Sequence, residues 1–470
     1  MTHEGRQNHF LLVTFPAQGH INPAIQFAKR LLRIGAHVTF VTSIFAQRRM
    51  IKDSDSSLIG LNFAPFSDGY DDGFNPDDGI DHLFSQVKRH GSVAISCLVE
   101  SFAKEGRPIT CLIYTLLLPW AAELARHVQL PSALLWIQPA TVFDIYYYYF
   151  SGYKEVILDN INDPSYSVQL PGLPLLKAGD LPSFFLPSNL YTFGISLFQE
   201  HFELLSQEVE SGRIFVNTFD ELEPEALKAV DKFNLIGIGP LVPEEFLEGK
   251  SEDLVDYSHD YMQWLASKDV SSVVYISFGS FAVLSDKQME ELARGLVDSK
   301  MPFLWVIRSG EIEPQQVEDK KYRKILEEEH EGKVVPWCSQ VEVLSHPSIG
   351  CFMTHCGWNS TLETLVMGVP VVAFPQWSDQ GTNAKLIEDV WKIGVRVKQN
   401  EEDKIVKGEE IVRCLEEVMA GERGEELRRN AKKWQALTME AVKEGGSSET
   451  NLRAFVAEVS PRTCAQRNEP

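Results

Sequence analysis

A buried strand followed at once by a glycine-containing turn and an amphipathic helix occurs twice in the 470-residue chain. In the first half, residues 9–15 form an apolar run between polar and turn residues, which predicts a buried strand. Asn22 and Pro23 predict an N-cap and a first helical residue, with a helix over residues 24–32. Residues 36–41 then predict a second strand. This order is typical of a strand–helix–strand unit in a parallel, doubly wound sheet.

The second half begins in the same way. Residues 272–277 predict a strand, residues 278–280 a turn, residues 287–296 a helix and residues 303–307 the next strand. Two similar openings favour two separate domains over one long sheet. The predicted fold class is therefore α/β, with two doubly wound domains.

Residues 241–261 predict an interdomain linker, because they mix proline, glycine and acidic residues without any periodicity. The predicted N-terminal domain thus covers residues 1–240 and the predicted C-terminal domain residues 262–448. Residues 449–470 are expected to contain a helix that packs back toward the N-terminal domain, followed by a tail.

The charge balance excludes some classes of partner. The chain has 44 Lys and Arg against 66 Asp and Glu, a net charge of −22. Nucleic acids and anionic membranes need a basic footprint and are not expected as partners. A small anionic ligand stays possible, because a few backbone N–H groups can bind phosphate locally.

Targeting and redox features point to the cytosol. The N-terminus has no apolar signal segment, and no uncharged run approaches the roughly 18 residues of a membrane span. The seven cysteines are scattered, without a CxxC pair, which is typical of a reduced intracellular protein. We therefore expect a cytoplasmic protein without a membrane span. A monomer is also expected.

The most informative segment covers residues 337–380. Residues 350–354 predict a strand, residues 355–359 a turn and residues 360–367 a helix. Ligands of open α/β sheets bind at the carboxyl ends of the strands, and the free N–H groups of a helix N-terminus favour phosphate. His355 could add a hydrogen-bond donor or a positive charge. The residues placed at this helix start are Gly357, Asn359 and Ser360.

Other interpretations of these residues are open from spacing alone. Ser360 is more often only an N-cap than a ligand contact, and Trp337 and Trp358 are more often packing residues. Cys351, His355 and Cys356 could suggest zinc, but no second Cys or His pair completes four ligands, so no metal is expected.

The same segment resembles the 44-residue donor-binding signature of plant family-1 UDP-glycosyltransferases. The resemblance extends from residues 16–20 to residues 445–448 and is greatest to the branch of anthocyanin 5-O-glucosyltransferases and crocetin glucosyltransferases. The matching residues are Trp337-Cys338-Ser339-Gln340, His355-Cys356-Gly357-Trp358-Asn359-Ser360, Glu363 and Trp377-Ser378-Asp379-Gln380.

The resemblance implies a GT-B fold, in which two Rossmann-like domains face each other across a cleft. The C-terminal domain would hold UDP-glucose as donor and the N-terminal domain a small hydrophobic acceptor, with no metal or other cofactor. By the same likeness, Trp337 stacks on uracil, Gln340 lies beside the nucleoside and Glu363 accepts the ribose hydroxyls. The diphosphate would be held by His355, Asn359, Ser360 and Ser280, and the sugar would contact Trp358, Asp379 and Gln380. Gly19, Cys338, Gly357 and Trp377 complete the predicted donor set.

His20 is the predicted catalytic base, because an imidazole just past the first strand can take the proton of the acceptor. Direct displacement of UDP would then invert the α-linked donor to a β-glucoside. Most relatives have an Asp that orients this His, whereas Thr115 occupies that position here. A hydroxyl cannot stabilise the imidazolium as a carboxylate does. This difference favours acidic acceptors such as phenols or carboxylic acids.

Acceptor contacts are expected in the N-terminal domain. Gln138 follows a predicted strand, and Phe143 with the aromatic residues of 144–150 could line a planar pocket or form a core helix.

Two other classes of function are open. A nucleotide-sugar-binding protein without catalysis is suggested by Thr115, whereas a dinucleotide oxidoreductase lacks the G-x-G-x-x-G turn between strand and helix that it requires.

Overall fold

The computed structural model describes residues 8–53, 61–159, 161–163, 166–186, 193–207, 213–247, 260–308, 325–326 and 331–459. Within these residues, two parallel sheets of seven and six strands form the centres of two domains. A short antiparallel ribbon of two strands accompanies the first sheet.

The first sheet has the strand order β3-β2-β1-β4-β5-β8-β9, and the ribbon consists of β6 and β7. Their bounds are β1 (His9–Val13), β2 (His37–Val41), β3 (Leu61–Phe63), β4 (Cys111–Thr115), β5 (Ser132–Trp136), β6 (Ser167–Val168), β7 (Leu176–Lys177), β8 (Arg213–Val216) and β9 (Asn234–Gly237).

The second sheet has the order β12-β11-β10-β13-β14-β15. Its strands are β10 (Val273–Ser277), β11 (Phe303–Val306), β12 (Gly332–Val335), β13 (Ile349–Thr354), β14 (Val371–Ala373) and β15 (Gly394–Arg396). Both sheets therefore have the doubly wound order that the two openings predict.

Helices connect the strands. In the first half they are α1 (Gln18–Arg33), α2 (Ile44–Asp53), α3 (Ile80–Lys104), α4 (Pro119–His127), α5 (Ala140–Tyr148), α6 (Lys154–Leu158) and α7 (Phe193–Ser206). The second half has α8 (Glu244–Leu247), α9 (Asp260–Ala266), α10 (Asp286–Ser299), α11 (Gln340–Ser345), α12 (Trp358–Met367), α13 (Gln380–Lys385), α14 (Gly408–Met419), α15 (Gly421–Val442) and α16 (Ser447–Val459).

Each sheet has one point where the winding direction reverses. The chain runs from β1 outward to β3 and then returns to β4 on the other side of β1. The second sheet repeats this arrangement with β10 and β13 as the two central strands. Loops that follow the two central strands leave in opposite directions, which opens a crevice at their carboxyl ends.

The central strands are continuous apolar runs because both faces of each sheet are covered. All residues of β1 and β10 are buried, as expected of parallel strands between two layers of helices. The C-terminal helix α16 packs on the first domain, where the ring of Phe455 lies 4.5 Å from that of Phe215 and 5.8 Å from that of Phe10. No helix in the described part of the chain is long and apolar enough to cross a membrane.

The predicted start of the first helix is wrong. Helix α1 begins at Gln18 rather than after Asn22, its N-cap is Ala17, and Pro23 lies inside it. Proline inside a helix removes the N–H that would bind the carbonyl four residues earlier, here that of Gly19. The prediction failed because the sequence does not show that this carbonyl has another partner, which is described below.

Candidate active site

His20 and Thr115 meet at the reversal point of the first sheet. His20 lies in the first turn of α1, directly after β1, and Thr115 is the last residue of β4. The Nδ1 atom of His20 is 3.4 Å from Oγ1 of Thr115, which is fully buried. Burial also lowers the pKa of His20 to about 3, so the imidazole is neutral near pH 7.

The hydrogen bonds around Thr115 indicate which nitrogen of His20 carries the proton. The Thr14 hydroxyl donates to the carbonyl of Phe15, at 3.3 Å, and the Thr115 hydroxyl donates to Oγ1 of Thr14, at 3.4 Å. Oγ1 of Thr115 then has only lone pairs left, and one accepts from the N–H of Phe15 at 3.1 Å. This arrangement fits the tautomer in which Nδ1–H of His20 donates to the other lone pair and Nε2 carries no proton.

His355 lies at the reversal point of the second sheet, between two glycine turns. A Cβ atom on Gly279, which has a φ of +72°, or on Gly357 would lie 2.5 Å from Nε2 of His355. Only glycine lets both backbones approach the ring so closely. Burial lowers the pKa of His355 to about 4, so it provides a hydrogen-bonding group rather than a permanent charge. Ser280 follows Gly279 in the same turn and is exposed.

The helix that starts beside His355 holds a connected polar cluster. Helix α12 begins at Trp358 with Gly357 as N-cap, so the interpretation of Ser360 as an N-cap is wrong. Nε2 of Gln340 donates to Oγ of Ser360 at 2.8 Å and to Oε2 of Glu363 at 2.6 Å. Burial raises the pKa of Glu363 to about 7.

Tyr275 is a member of this cluster that sequence reasoning missed. Its hydroxyl donates to Oε1 of Gln340 at 3.4 Å and is 3.4 Å from Sγ of Cys338. A tyrosine in the middle of an apolar strand predicts core packing, and only its hydroxyl partners distinguish it from a core residue. Trp337, next to Cys338, is 60% exposed and is therefore not a packing residue.

The segment that ends the signature is held rigidly. Asp379 is buried, its pKa is raised by burial, and Oδ2 accepts from Nδ2 of Asn383 at 2.7 Å. Oε1 of Gln380 accepts from the N–H groups of Gln376 and Trp377, at 2.9 and 3.0 Å. Nε2 of Gln138, from the first domain, reaches Oγ of Ser378 at 3.5 Å.

The side chains of Trp358 and Phe143, both predicted to contact ligands, are buried away from the two crevices. The indole of Trp358 is buried and donates its N–H to the carbonyl of Asn217, at 2.7 Å, between the two domains. Phe143 is fully buried, with its ring 5.1 Å from Trp136 and 4.9 Å from Phe202. Both side chains are packing residues, because indole and phenyl rings contribute most where they are fully removed from water.

A hydrogen bond links the two crevices. Nδ2 of Asn359, in the first turn of α12, donates to the carbonyl of Gly19 at 3.2 Å. In a regular helix the N–H of residue 23 would donate to this carbonyl, but Pro23 has no N–H. The carbonyl oxygen of Gly19 accepts a hydrogen bond from the other domain instead. The predicted base and the predicted diphosphate helix are thus directly connected.

A chain of aromatic rings, here called the aromatic arc, runs from His20 to the second domain. Neighbouring rings have centroids between 5.1 and 6.4 Å apart. Most are only partly buried, whereas Tyr146 and Tyr148 of the predicted aromatic run are core residues. The only signal for the arc in the sequence is the high number of phenylalanines, 27. In order, the arc consists of His20, Phe15, Phe84, Phe193, Phe184, Trp377 and Phe281.

Among the described residues, no group of three or more His, Cys, Asp or Glu side chains is suited to a metal ion. The six cysteines that the structure describes are free thiols. The cytoplasmic location and the monomeric state stay predictions from the sequence.

Known proteins match this chain along most of its length. A family model described as UDP-glucoronosyl and UDP-glucosyl transferase matches residues 240–432. Crocetin glucosyltransferase, chloroplastic, of Gardenia jasminoides is 57% identical over 475 residues, covering 98% of this chain and 100% of the relative. Anthocyanidin 3-O-glucoside 5-O-glucosyltransferase of Verbena hybrida is 51% identical over 465 residues, covering 96% of this chain and 98% of the relative.

A solved structure matches as well. Os79 from O. sativa in complex with UDP has a TM-score of 0.81 and 33% identity, and the match covers 96% of this chain and 100% of that one. These similarities confirm the predicted family and the GT-B fold. This chain therefore belongs to the plant UDP-glycosyltransferases and is a glycosyltransferase enzyme.

Proposed function

We propose that this enzyme is an inverting, UDP-glucose-dependent O-glucosyltransferase that acts on a phenolic hydroxyl or a carboxylate of a hydrophobic plant metabolite. The observation that carries the proposal is the link between the two crevices, in which Asn359 binds the carbonyl of Gly19 beside His20. This link brings the imidazole of His20 next to the helix start proposed to bind the donor.

The proposed donor site follows the signature along the second crevice. Exposed Trp337 is suited to stack on uracil, and the next residue, Cys338, belongs to the polar cluster. Glu363 and Gln340 are proposed to bind the ribose. The backbone N–H groups at the start of α12, with Gly357, Asn359, Ser360, Ser280 and His355, are proposed to hold the diphosphate.

The proposed chemical step needs no metal. With a phenol, Nε2 of His20 takes the hydroxyl proton as the oxygen attacks the anomeric carbon from the face opposite UDP. A carboxylic acid is already ionised near pH 7, so its oxygen attacks in the same way without a proton transfer. The bond to the UDP oxygen breaks with inversion, and the charge on the leaving diphosphate is stabilised by N–H groups that are already in place. Asp379 and Gln380, held by Asn383 and by their own loop, are proposed to bind the glucose hydroxyls.

Acceptor chemistry is inferred from Thr115 and the aromatic arc. Without a carboxylate partner, His20 is a weak base, so an acceptor that loses its proton easily is favoured. Partly exposed rings offer apolar contact to a planar or polyene acceptor. Relatives named for crocetin and for anthocyanidin 3-O-glucoside agree with this range. Gln138 is proposed to contact the sugar or the acceptor, and no acceptor contact is proposed for Phe143.

The first experiment incubates the purified enzyme with UDP-glucose and a panel of phenols and carboxylic acids, with products detected by mass. We expect β-glucosides or glucose esters, which mild alkali distinguishes because it cleaves only the esters. With phenol acceptors, His20→Ala should lower kcat by roughly 10²- to 10⁴-fold, because the general base is removed. His127→Ala, at an exposed helix end, is the matched control.

Equal and negligible turnover of the wild type and His20→Ala across the panel would instead favour a nucleotide-sugar-binding protein, the alternative suggested by Thr115. Full activity of His20→Ala on phenols would exclude His20 as the base.

Thr115→Asp tests the proposed preference for acidic acceptors. A carboxylate beside Nδ1 favours the imidazolium, so we expect turnover of aliphatic alcohols to rise by about tenfold relative to phenols. Thr115→Ser keeps the hydroxyl and should leave this ratio unchanged. A wild-type enzyme that uses only aliphatic alcohols would contradict the proposal.

Binding of UDP-glucose should depend on the ionisation of Glu363. Because burial raises the pKa of Glu363 to about 7, the free enzyme loses the ribose-accepting carboxylate as the pH falls below neutrality. We expect the affinity, measured by calorimetry, to fall between pH 8 and 6, by at most about tenfold per pH unit for one proton. Glu363→Gln should bind more weakly, with no such pH dependence. The same slope in Glu363→Gln would show that another group titrates.

Pro23→Ala tests the link between the crevices. The new N–H can donate to the carbonyl of Gly19 in competition with Asn359, so we expect kcat to fall several-fold while the thermal midpoint is unchanged or higher. The matched control is Pro119→Ala. Pro119 lies at the start of α4, where the N–H of a helical residue has no carbonyl partner within the helix. An unchanged kcat in Pro23→Ala would show that the link does not affect catalysis.

A further inference from the structure

The segment 177–183 of the first domain docks on the residues that carry the proposed sugar contacts. The N–H of Ser183 donates to the carbonyl of Ser378 at 2.8 Å, and the N–H of Ser378 donates to Oγ of Ser183 at 2.7 Å. Oγ1 of Thr382 donates to the carbonyl of Asp180 at 2.6 Å. These three bonds surround Asp379 and Gln380 on both sides in the sequence.

A partly buried ion pair also joins the two domains at this junction. Oδ1 of Asp180 is 2.6 Å from Nη1 of Arg396, and Nζ of Lys385 lies 3.8 Å from Oδ2. The second nitrogen of the same guanidinium, Nη2, donates to the carbonyl of Gly179 at 2.7 Å. The Asp180 side chain is 7% exposed, so its carboxylate is stabilised mainly by these cations and by the N–H of Lys177 in its own turn.

The backbones at this junction touch. A Cβ atom on Gly381 would lie 2.6 Å from the carbonyl oxygen of Gly179, which leaves no room for any other residue there. The N–H of Lys177 donates to Oδ2 of Asp180 at 2.8 Å and closes the turn that presents the carboxylate. The junction is therefore a preformed surface of two close-packed turns.

We infer that Asp180 and Arg396 are positioning residues that fix the Ser378–Gln380 segment against the acceptor domain and so determine how well the glucose moiety of the donor is bound. The inference rests on the proposed glucosyl transfer and deepens it. Asp180 acts through Thr382, which donates to its carbonyl, and through the segment 177–183, whose Ser183 bonds Ser378. Ser378 and Thr382 flank the proposed sugar ligands. The other predicted donor contacts, at Trp337, Gln340 and Glu363, lie outside this junction and concern the UDP part.

If the junction positions only the proposed sugar ligands, disrupting it should weaken binding of the glucose moiety but not of UDP. Asp180→Asn and Arg396→Gln should each lower the affinity for UDP-glucose by roughly tenfold in calorimetry, while the affinity for UDP stays within about twofold. The double variant should be no worse than either single variant, because both remove the same interaction. The ratio of donor hydrolysis to transfer should rise in all three.

The matched control is Asp403→Asn. Asp403 also pairs with two lysines, Lys287 and Lys407, but all three residues belong to the second domain and lie outside the junction. This variant should leave the ratio of UDP-glucose to UDP affinity unchanged, whatever its effect on the thermal midpoint.

The inference is overturned if Asp180→Asn lowers the thermal midpoint while both affinities stay as in Asp403→Asn, since Asp180 would then be only structural. If Asp180→Asn does not fold, Ser183→Ala tests the inference instead. This variant removes the hydroxyl that bonds Ser378 and leaves the ion pair between Asp180 and Arg396 intact. It should weaken UDP-glucose binding two- to threefold and spare UDP, and no change would overturn the inference. These binding readouts need no acceptor, so failure of the wild type to transfer glucose would contradict the proposed function and not the junction.

Discussion

The reversal of winding direction at the centre of each parallel sheet is the constraint on which the rest of the structure depends. Where the connections after two neighbouring strands leave in opposite directions, the carboxyl ends of those strands border an open crevice. In the first sheet this point lies between β1 and β4 and brings His20 to Thr115. In the second it lies between β10 and β13 and brings the turn at Gly279 to His355.

Burial in these crevices determines the charge that each site presents. Desolvation lowers the pKa of both histidines, to about 3 for His20 and about 4 for His355, and raises that of Glu363 to about 7. Both histidines are therefore neutral at pH 7. The unfolded chain binds protons at these histidines near pH 6.5, so their contribution to stability is lost as the pH falls from about 6.5 toward 3–4. The net charge of −22 has no bearing on this local environment.

The domains are joined by contacts of two physical kinds. Packed indoles form the first, since Trp358 donates to the carbonyl of Asn217 and Trp391 to that of Leu222. Contacts to backbone and carboxylate groups near the crevices form the second, from Asn359 to Gly19 and from Arg396 to Asp180. The first kind buries apolar area between the domains, whereas the second kind places the residues proposed for catalysis and donor binding.

The sequence by itself determined the α/β class, the two doubly wound units and the family, because apolar periodicity and the ordered residues of 337–380 are local patterns. The sequence did not show that Phe143 is a core residue, that α1 begins at Gln18 or that the rings of the aromatic arc lie next to one another. Each of these depends on what a side chain or carbonyl meets in space. The bond between Asn359 and Gly19 joins residues 340 positions apart. Only the tertiary structure decided such contacts, because they form when two domains pack together. The apolar pattern of each domain specifies its own sheet and helices and says nothing about its contacts with the other domain.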